Sequence, residues 1–219
     1  MKNGTYAVYF NNAPHGDDAL LSREISSSIV LDVVLDGVSN EQGSIASKLA
    51  VEKIKNGHIK NHDDILLLLQ DANKELTGIS CTTVTATLKV GNHVWAINSG
   101  DSPAYLIRGK DSTELTTLDK SPYSLAAITN CVGIGADFSC HVKEIEIQPG
   151  DKLVLLTDGI SDNLYVEEIV EVVIGSNTPQ ETTSGIEKLL AKKKKENKGR
   201  TDMFGFFKND DATAIVRYF

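Results

Sequence analysis

Four stretches of the chain carry apolar residues at the three- and four-residue spacing of a helix face. The pattern predicts helices over residues 41–56 and 63–76, and the polar segment 57–62 between them predicts a turn that makes the two a helical hairpin. A later helix is predicted from about 178 to 195, with a proline at its start. A short one is predicted over 166–174. We expect these helices to lie in pairs.

Most of the remaining chain consists of short apolar runs separated by turn-forming dipeptides such as Gly91-Asn92. The predicted strands are 5–10, 26–37, 81–90, 93–100, 104–110, 112–118, 141–147, 152–159 and 212–219. Strands joined by short turns, with helices that do not alternate with them, indicate an α+β fold of mainly antiparallel sheets with helices outside. Nothing marks an internal boundary, so we expect one domain over residues 1–219.

Composition narrows the possible partners and surroundings. The 219 residues include 22 Lys+Arg and 30 Asp+Glu, for a net charge of −8. This acidity argues against nucleic acid, because binding phosphate backbones needs a basic surface. No apolar run reaches the length of a membrane span, and the first residues lack the apolar core of a secretion signal, so we expect a cytoplasmic protein without a membrane segment. Three cysteines without metal-ligand spacing predict free thiols. The basic segment 192–200 predicts a solvated helix end, with a docking patch as the alternative.

Aspartates fall at matching ends of several predicted strands. Asp36 and Asp158 each close an apolar strand and are followed by glycine, whereas Asp210-Asp211 directly precedes the last strand. Asp17-Asp18 precedes another apolar stretch. If the last strand runs antiparallel to the other two, the carboxylates meet at one edge of the sheets. Such a cluster is unfavourable without a cation, and oxygen ligands suit Mg²⁺ or Mn²⁺. Taken singly, each Asp-Gly pair is more typical of a turn than of a metal ligand, and the prediction rests on the combination.

Seven segments, in order, are similar to motifs of the metal-dependent Ser/Thr protein phosphatases of type 2C, the PPM family. They are GDDA (16–19), VVLDGVS (33–39), CTTVTATL (81–88), WAINSGDSPAYLIR (95–108), LTTLDKS (115–121), LVLLTDGISDNL (153–164) and NDDATAIV (209–216). The resemblance implies a central sandwich of two antiparallel sheets flanked by helix pairs, in four layers. It also implies hydrolysis of phosphoserine and phosphothreonine in proteins, opposed to a Ser/Thr kinase.

The same resemblance implies a centre of two Mg²⁺ or Mn²⁺ ions. By motif position, Asp36 would bridge the ions, Gly37 would offer its carbonyl, and Asp158 and Asp210 would be direct ligands. Asp17 and Asp18 would act mainly through bound water. Asp211 stands where the family usually has asparagine, and would support the ligands without being one. Two such ions would activate a water for attack on phosphorus.

Several features of the family are missing. A phosphate-binding arginine is expected where Ala13 stands, and Arg23 or Lys120 are candidate substitutes. Val38 replaces a histidine found in animal members, Ser39-Asn40 replaces a glycine pair, and the flap subdomain is reduced to a short loop at 122–137. These departures leave two alternatives open: a pseudophosphatase that acts as a regulatory binding module, and a phosphatase of a small phosphorylated metabolite.

Overall fold

The computed structural model describes residues 2–38 and 42–219. It contains two five-stranded antiparallel sheets and a small hairpin. The first sheet has the order β1-β12-β11-β6-β7, with β1 Thr5–Asn11, β12 Ala212–Tyr218, β11 Lys152–Leu156, β6 Ala104–Arg108 and β7 Asp111–Glu114. The second has the order β10-β5-β4-β3-β2, with β10 His141–Glu146, β5 His93–Ser99, β4 Val84–Val90, β3 Ile29–Asp36 and β2 Asp18–Ser26.

In the described part of the chain, five helices accompany the sheets: α1 Gly43–Asn56, α2 His62–Leu76, α3 Asp158–Ser161, α4 Val166–Gly175 and α5 Pro179–Glu196. Side-chain caps set two of the starts. Asn61 accepts a hydrogen bond from the Asp64 amide while the Asp64 carboxylate accepts one from the Asn61 amide. Thr178 caps α5, where Pro179 takes the first helical position, which needs no amide donor.

Three apolar clusters define four layers. One, which includes Leu35 and Leu69, lies between the second sheet and the helices α1 and α2. A second lies between the first sheet and the helices α4 and α5. The third, which includes Val34 and Ile215, lies between the two sheets. The predicted α+β sandwich flanked by helix pairs is therefore confirmed.

The two-residue period of a strand decides which polar side chains enter the layer between the sheets. On β3, Leu31, Val33 and Leu35 face the helices, so Asp32, Val34 and Asp36 face the other sheet. On β12 the same alternation turns residues 213, 215 and 217 towards β3. Polar groups at one end of this middle layer therefore converge from both sheets.

The sequence-based elements agree with the structure in most places. The helical hairpin and the helices after Tyr165 and Thr178 are confirmed, although the predicted start of the first helix at 41 lies outside the described residues. Strand β2 was missed because the consecutive polar residues Ser22, Arg23 and Glu24 break the alternation. The segment 122–137, predicted as a short loop, instead begins with a strand, β9 Ser124–Ile128, which forms a hairpin with the preceding β8 Lys120–Ser121. No helix in the described part of the chain is long and apolar enough to cross a bilayer.

Candidate metal centre

Strand register brings four of the predicted aspartates to one end of the sandwich. Asp18 opens β2 and pairs directly with Asp36, the last residue of β3. In the other sheet, β11 and β12 run antiparallel, so Asp158, just after β11, lies beside Asp211, just before β12. The antiparallel arrangement expected for the last strand is thus present for β11, while β3 contributes from across the sandwich. Both sheets supply carboxylates to the same place.

The two glycines that follow strand-end aspartates permit close backbone approach. A Cβ on Gly159 would lie 1.9 Å from the Asp211 carbonyl oxygen, and one on Gly37 would lie 2.3 Å from the Gly43 carbonyl oxygen. Neither glycine has a positive φ, so a left-handed backbone conformation is not the reason for glycine at these two positions. These glycines are required because neighbouring backbone segments pass too close for any side chain.

Asp18 is held by hydroxyl groups from the opposite sheet. Its Oδ2 accepts hydrogen bonds from Thr157 Oγ1 (2.9 Å) and Thr213 Oγ1 (2.6 Å). Its Oδ1 is buried and has no hydrogen-bond partner among the described residues, and Oδ1 of Asp158 is in the same condition. A buried carboxylate oxygen without a donor is costly. Two such atoms in one cluster are ready acceptors for a cation.

Asp211 organises the backbone around Asp17. Its Oδ1 accepts a hydrogen bond from the His15 amide (2.9 Å) and its Oδ2 accepts one from the Asp17 amide (2.7 Å). The Asp17 carbonyl in turn accepts from the Gly37 amide at 3.1 Å. With both oxygens engaged by amides, Asp211 supports the loop that precedes β2. His15 Nε2 lies 3.6 Å from Asp210 Oδ1, at the edge of the cluster.

Crowding of negative charge perturbs these carboxylates. Burial, reinforced by the charges of Asp158 and Asp18, raises the pKa of Asp36 well above its ordinary value. Burial also raises the pKa of Asp18 to about 7, against the lowering effect of its two threonine hydroxyls. The pKa of Asp101 is raised to about 6 by burial and by the charge of Asp158. Raised carboxyl pKa values in one cleft are typical of a site that a cation completes.

Two lysines lie among the acids. The Lys208 ammonium contacts carboxylate oxygens of Asp158, Asp210 and Asp162. Lys120 Nζ lies 2.9 Å from Asp162 Oδ1 and 3.5 Å from an oxygen of Asp101. Although burial alone lowers the pKa of Lys208, its carboxylate neighbours raise it above the ordinary value.

Sequence reasoning missed the roles of Lys208, Asp162 and Asp101 in this cluster. Asp101 and Asp162 lie within the segments 95–108 and 153–164, whose similarity to phosphatase motifs could have pointed to them. Lys208 stands two residues before Asp210, but nothing in the sequence pattern pairs it with Asp158 or Asp162. Those contacts arise only from the tertiary arrangement.

The two candidate substitutes for the missing arginine, Arg23 and Lys120, lie in different parts of the structure. The Arg23 guanidinium donates to the carbonyl oxygens of Lys55 and Gly57, at the end of α1, and does not reach the carboxylates. Lys120, by contrast, lies at their edge. Ala13 stands where the family's arginine is expected and Val38 where animal members have a histidine, so neither position carries a basic side chain. Ser39-Asn40 lies outside the described residues.

An open cleft of about 290 Å³ adjoins the cluster. Four aspartates, one lysine, one threonine and two apolar residues line the cleft. They are Asp36, Val38, Thr83, Asp101, Ile128, Asp158, Lys208 and Asp210. The cleft therefore gives a small charged group direct access to the carboxylates.

The donor set fits a hard divalent cation. All the candidate ligands are oxygens, two of them are buried without partners, and several carry raised pKa values, as expected where Mg²⁺ or Mn²⁺ binds. Within residues 2–38 and 42–219, no three Asp, Glu, His or Cys side chains are already arranged to hold a metal ion. The Lys208 ammonium stands between carboxylates that would need to share one.

Comparison with known proteins identifies relatives of the chain. The sequence profile of the SpoIIE family (Stage II sporulation protein E) matches residues 29–216. "Probable protein phosphatase 2C 80" of Arabidopsis thaliana is 31% identical over 195 residues, which covers 77% of this chain and 44% of that protein. "Probable protein phosphatase 2C 62" of the same plant is 30% identical over 178 residues, which covers 74% of this chain and 24% of that protein. The chain thus spans less than half the length of these relatives.

Solved structures match over nearly the whole length. The PPM Ser-Thr phosphatase MsPP from Mycobacterium smegmatis, solved with cacodylate, has a TM-score of 0.76 at 23% identity, covering 100% of this chain and 99% of that one. Serine/threonine phosphatase Stp1 from Staphylococcus aureus has a TM-score of 0.80 at 19% identity, covering 100% and 97%. At these identities the matches show a shared fold.

Proposed function

Because the chain belongs to the SpoIIE/PPM-type phosphatase family, we propose that it hydrolyses phosphoserine and phosphothreonine monoesters in proteins with the help of two divalent ions. One observation carries the proposal: the cluster of aspartates beside the cleft contains two buried carboxylate oxygens without partners among the described residues, on Asp18 and on the cleft-lining Asp158. The two ions, Mg²⁺ or Mn²⁺, would supply Lewis-acid polarisation of the phosphate ester and an activated water.

We assign the residues as follows. Asp36 would be shared by the two ions, because it is the strand partner of Asp18 in its own sheet and is close enough to Asp158 of the other sheet for their charges to interact. Gly37 offers its carbonyl, and Asp158 and Asp210 are direct ligands. Asp17 and Asp18 would support the ions mainly through bound water, and Asp18 is oriented by its two threonine donors. Asp211 holds the Asp17 segment through its two amide contacts, which gives it a positioning role.

Lys120 is the candidate for the phosphate contact that the family's arginine would make. Its ammonium already lies at the cluster, within 3.5 Å of two acids, and the short β8–β9 hairpin carries it there. A single ammonium is a point charge without the two-pronged geometry of a guanidinium. We therefore expect weaker phosphate binding than in relatives that keep the arginine, and a substrate protein that completes the groove left by the short hairpin.

A second candidate is a regulatory binding module that keeps the fold without turnover. It is favoured by the Lys208 ammonium among the carboxylates and by the absence of a cation at Ala13. A phosphatase of small phosphorylated metabolites is the third, and the open cleft admits such a substrate. Competition between phosphopeptides and small phosphate esters separates this third candidate from a protein phosphatase.

The deciding assay is hydrolysis of p-nitrophenyl phosphate and of a phosphothreonine peptide in Mn²⁺. We expect turnover that EDTA abolishes and that Asp36→Asn lowers by at least about 10- to 100-fold, since loss of residues that merely support metal ligands already costs that much. Asp71→Asn, at an exposed position on α2, is the matched control and should retain full activity. Full activity in EDTA would contradict metal dependence, and Mn²⁺ binding without turnover on any substrate would favour the binding module.

A further inference from the structure

Lys208 occupies the centre of the acidic cluster. Its ammonium contacts Asp158 Oδ2, lies 3.1 Å from Asp210 Oδ2 and lies 3.3 Å from Asp162 Oδ2. About a quarter of its side chain is exposed, through the cleft that the aspartates line. Three carboxylates around one ammonium make this lysine their shared counter-ion.

Two of the three partners are the proposed direct metal ligands, Asp158 and Asp210. A carboxylate oxygen that accepts from an ammonium is not free to bind a metal ion, and a dication a few ångströms from the ammonium would repel it strongly in this partly buried place. The cluster also lacks a ready set of three metal-binding side chains in the part of the chain that the structure describes. Because the Lys208 ammonium contacts both Asp158 and Asp210, it already engages one oxygen of each proposed ligand.

We propose that Lys208 is an internal cation that competes with the divalent ions, so that metal binds only when the ammonium leaves Asp158 and Asp210. This inference rests on the metal centre of the proposed function. Asp162 remains as a partner after the exchange, because its Oδ2 already lies within reach of the ammonium. The lysine stabilises the metal-free fold by neutralising crowded carboxylates, and it raises the metal concentration needed to load the site.

The test compares Mn²⁺ binding by titration calorimetry in the intact chain and in variants. Lys208→Met keeps the aliphatic stem and removes the charge, whereas Lys208→Arg keeps the charge. Lys194→Met is the matched control, because Lys194 is exposed and donates to Asn209. Asp158→Asn reports whether the ions bind at this cluster.

We expect Lys208→Met to bind Mn²⁺ at least tenfold more tightly than the wild type and to melt at a lower temperature in EDTA. Lys208→Arg and Lys194→Met should stay within about twofold of the wild type. Wild-type binding that Asp158→Asn abolishes but Lys208→Met leaves unchanged or weakens would overturn the competition while sparing the metal centre. If neither the wild type nor Lys208→Met binds Mn²⁺, the metal centre fails and the competition fails with it.

Discussion

The contact between Gly159 and the backbone of Asp211 yields a sharp prediction about the site. A Cβ at position 159 would lie 1.9 Å from the Asp211 carbonyl oxygen and 2.8 Å from the carbonyl carbon, and real Cβ atoms essentially never come closer than 3.0 Å. Gly159→Ala therefore forces the two segments apart by about 1 Å. The obstacle is backbone immediately before the central strand β12, which cannot rotate away as a side chain would.

That displacement acts directly on the proposed ligands. Asp158 precedes the substituted residue, and Asp210 precedes the displaced Asp211, so the two carboxylates move apart. Overpacking of this kind costs about 1–3 kcal/mol of stability, or a melting temperature lower by roughly 2–12 °C in a chain of this size. A misplacement of about 1 Å in a catalytic constellation costs about 100-fold in rate.

The assay pairs thermal melting with Mn²⁺-dependent hydrolysis of p-nitrophenyl phosphate. Gly175→Ala is the matched control, because a Cβ there meets nothing within 4 Å and alanine favours the helix. We expect the control to melt at or above the wild-type temperature with unchanged activity. A Gly159→Ala protein with wild-type melting and wild-type turnover would refute the close-approach explanation.

Three further predictions concern other parts of the molecule. The Arg217 guanidinium contacts the buried Asp32 carboxylate with two nitrogens. Arg217→Met leaves that carboxylate without its ion-pair partner, so the free energy of unfolding in urea should fall by about 3–5 kcal/mol. An unchanged midpoint of urea unfolding would contradict this. Lys120→Ala should raise KM for a phosphothreonine peptide roughly tenfold, with a smaller effect on kcat; an unchanged KM would remove Lys120 as the phosphate contact. In EDTA, stability should fall as the pH rises from 5 to 8, because burial raises the pKa of Asp18 to about 7 and of Asp101 to about 6. The folded state then holds protons that the unfolded chain, with carboxyl pKa values near 3.9, has lost. A melting temperature that rises from pH 5 to pH 8 would contradict this prediction.

The strand-end aspartates show what a sequence pattern can predict. Apolar runs that end in Asp36 and Asp158 predict strands, and the period of two predicts which side chains face inward. Register then follows from burial of the apolar face, since a slip of one residue would expose it. The meeting of carboxylates was therefore predictable before any coordinates, given the antiparallel course of the last strand. Their roles as metal ligands stay predictions.

Contacts between distant segments were beyond reach of the same reasoning. In the sequence, Gly159 looks like a turn glycine. Glycine is needed there because the backbone of Asp211, 52 positions later, passes too close for a side chain. Lys208 looks like a loop lysine, yet it pairs with Asp158 on another element. Local pattern carries no information about such partners, because they depend on how separate elements pack. Strand β2 was not predicted for a different reason: an edge strand with one exposed face tolerates a run of polar residues, which hides the alternating pattern.

The most direct test of the metal centre is a crystal structure of the chain soaked in Mn²⁺, with the ions located by anomalous scattering. We predict two Mn²⁺ ions, both in contact with Asp36, one or both contacting Asp158 and Asp210, and the Lys208 ammonium withdrawn from those two carboxylates. Absence of ions from this cluster at saturating Mn²⁺, with Lys208 still bound to Asp158 and Asp210, would contradict the account.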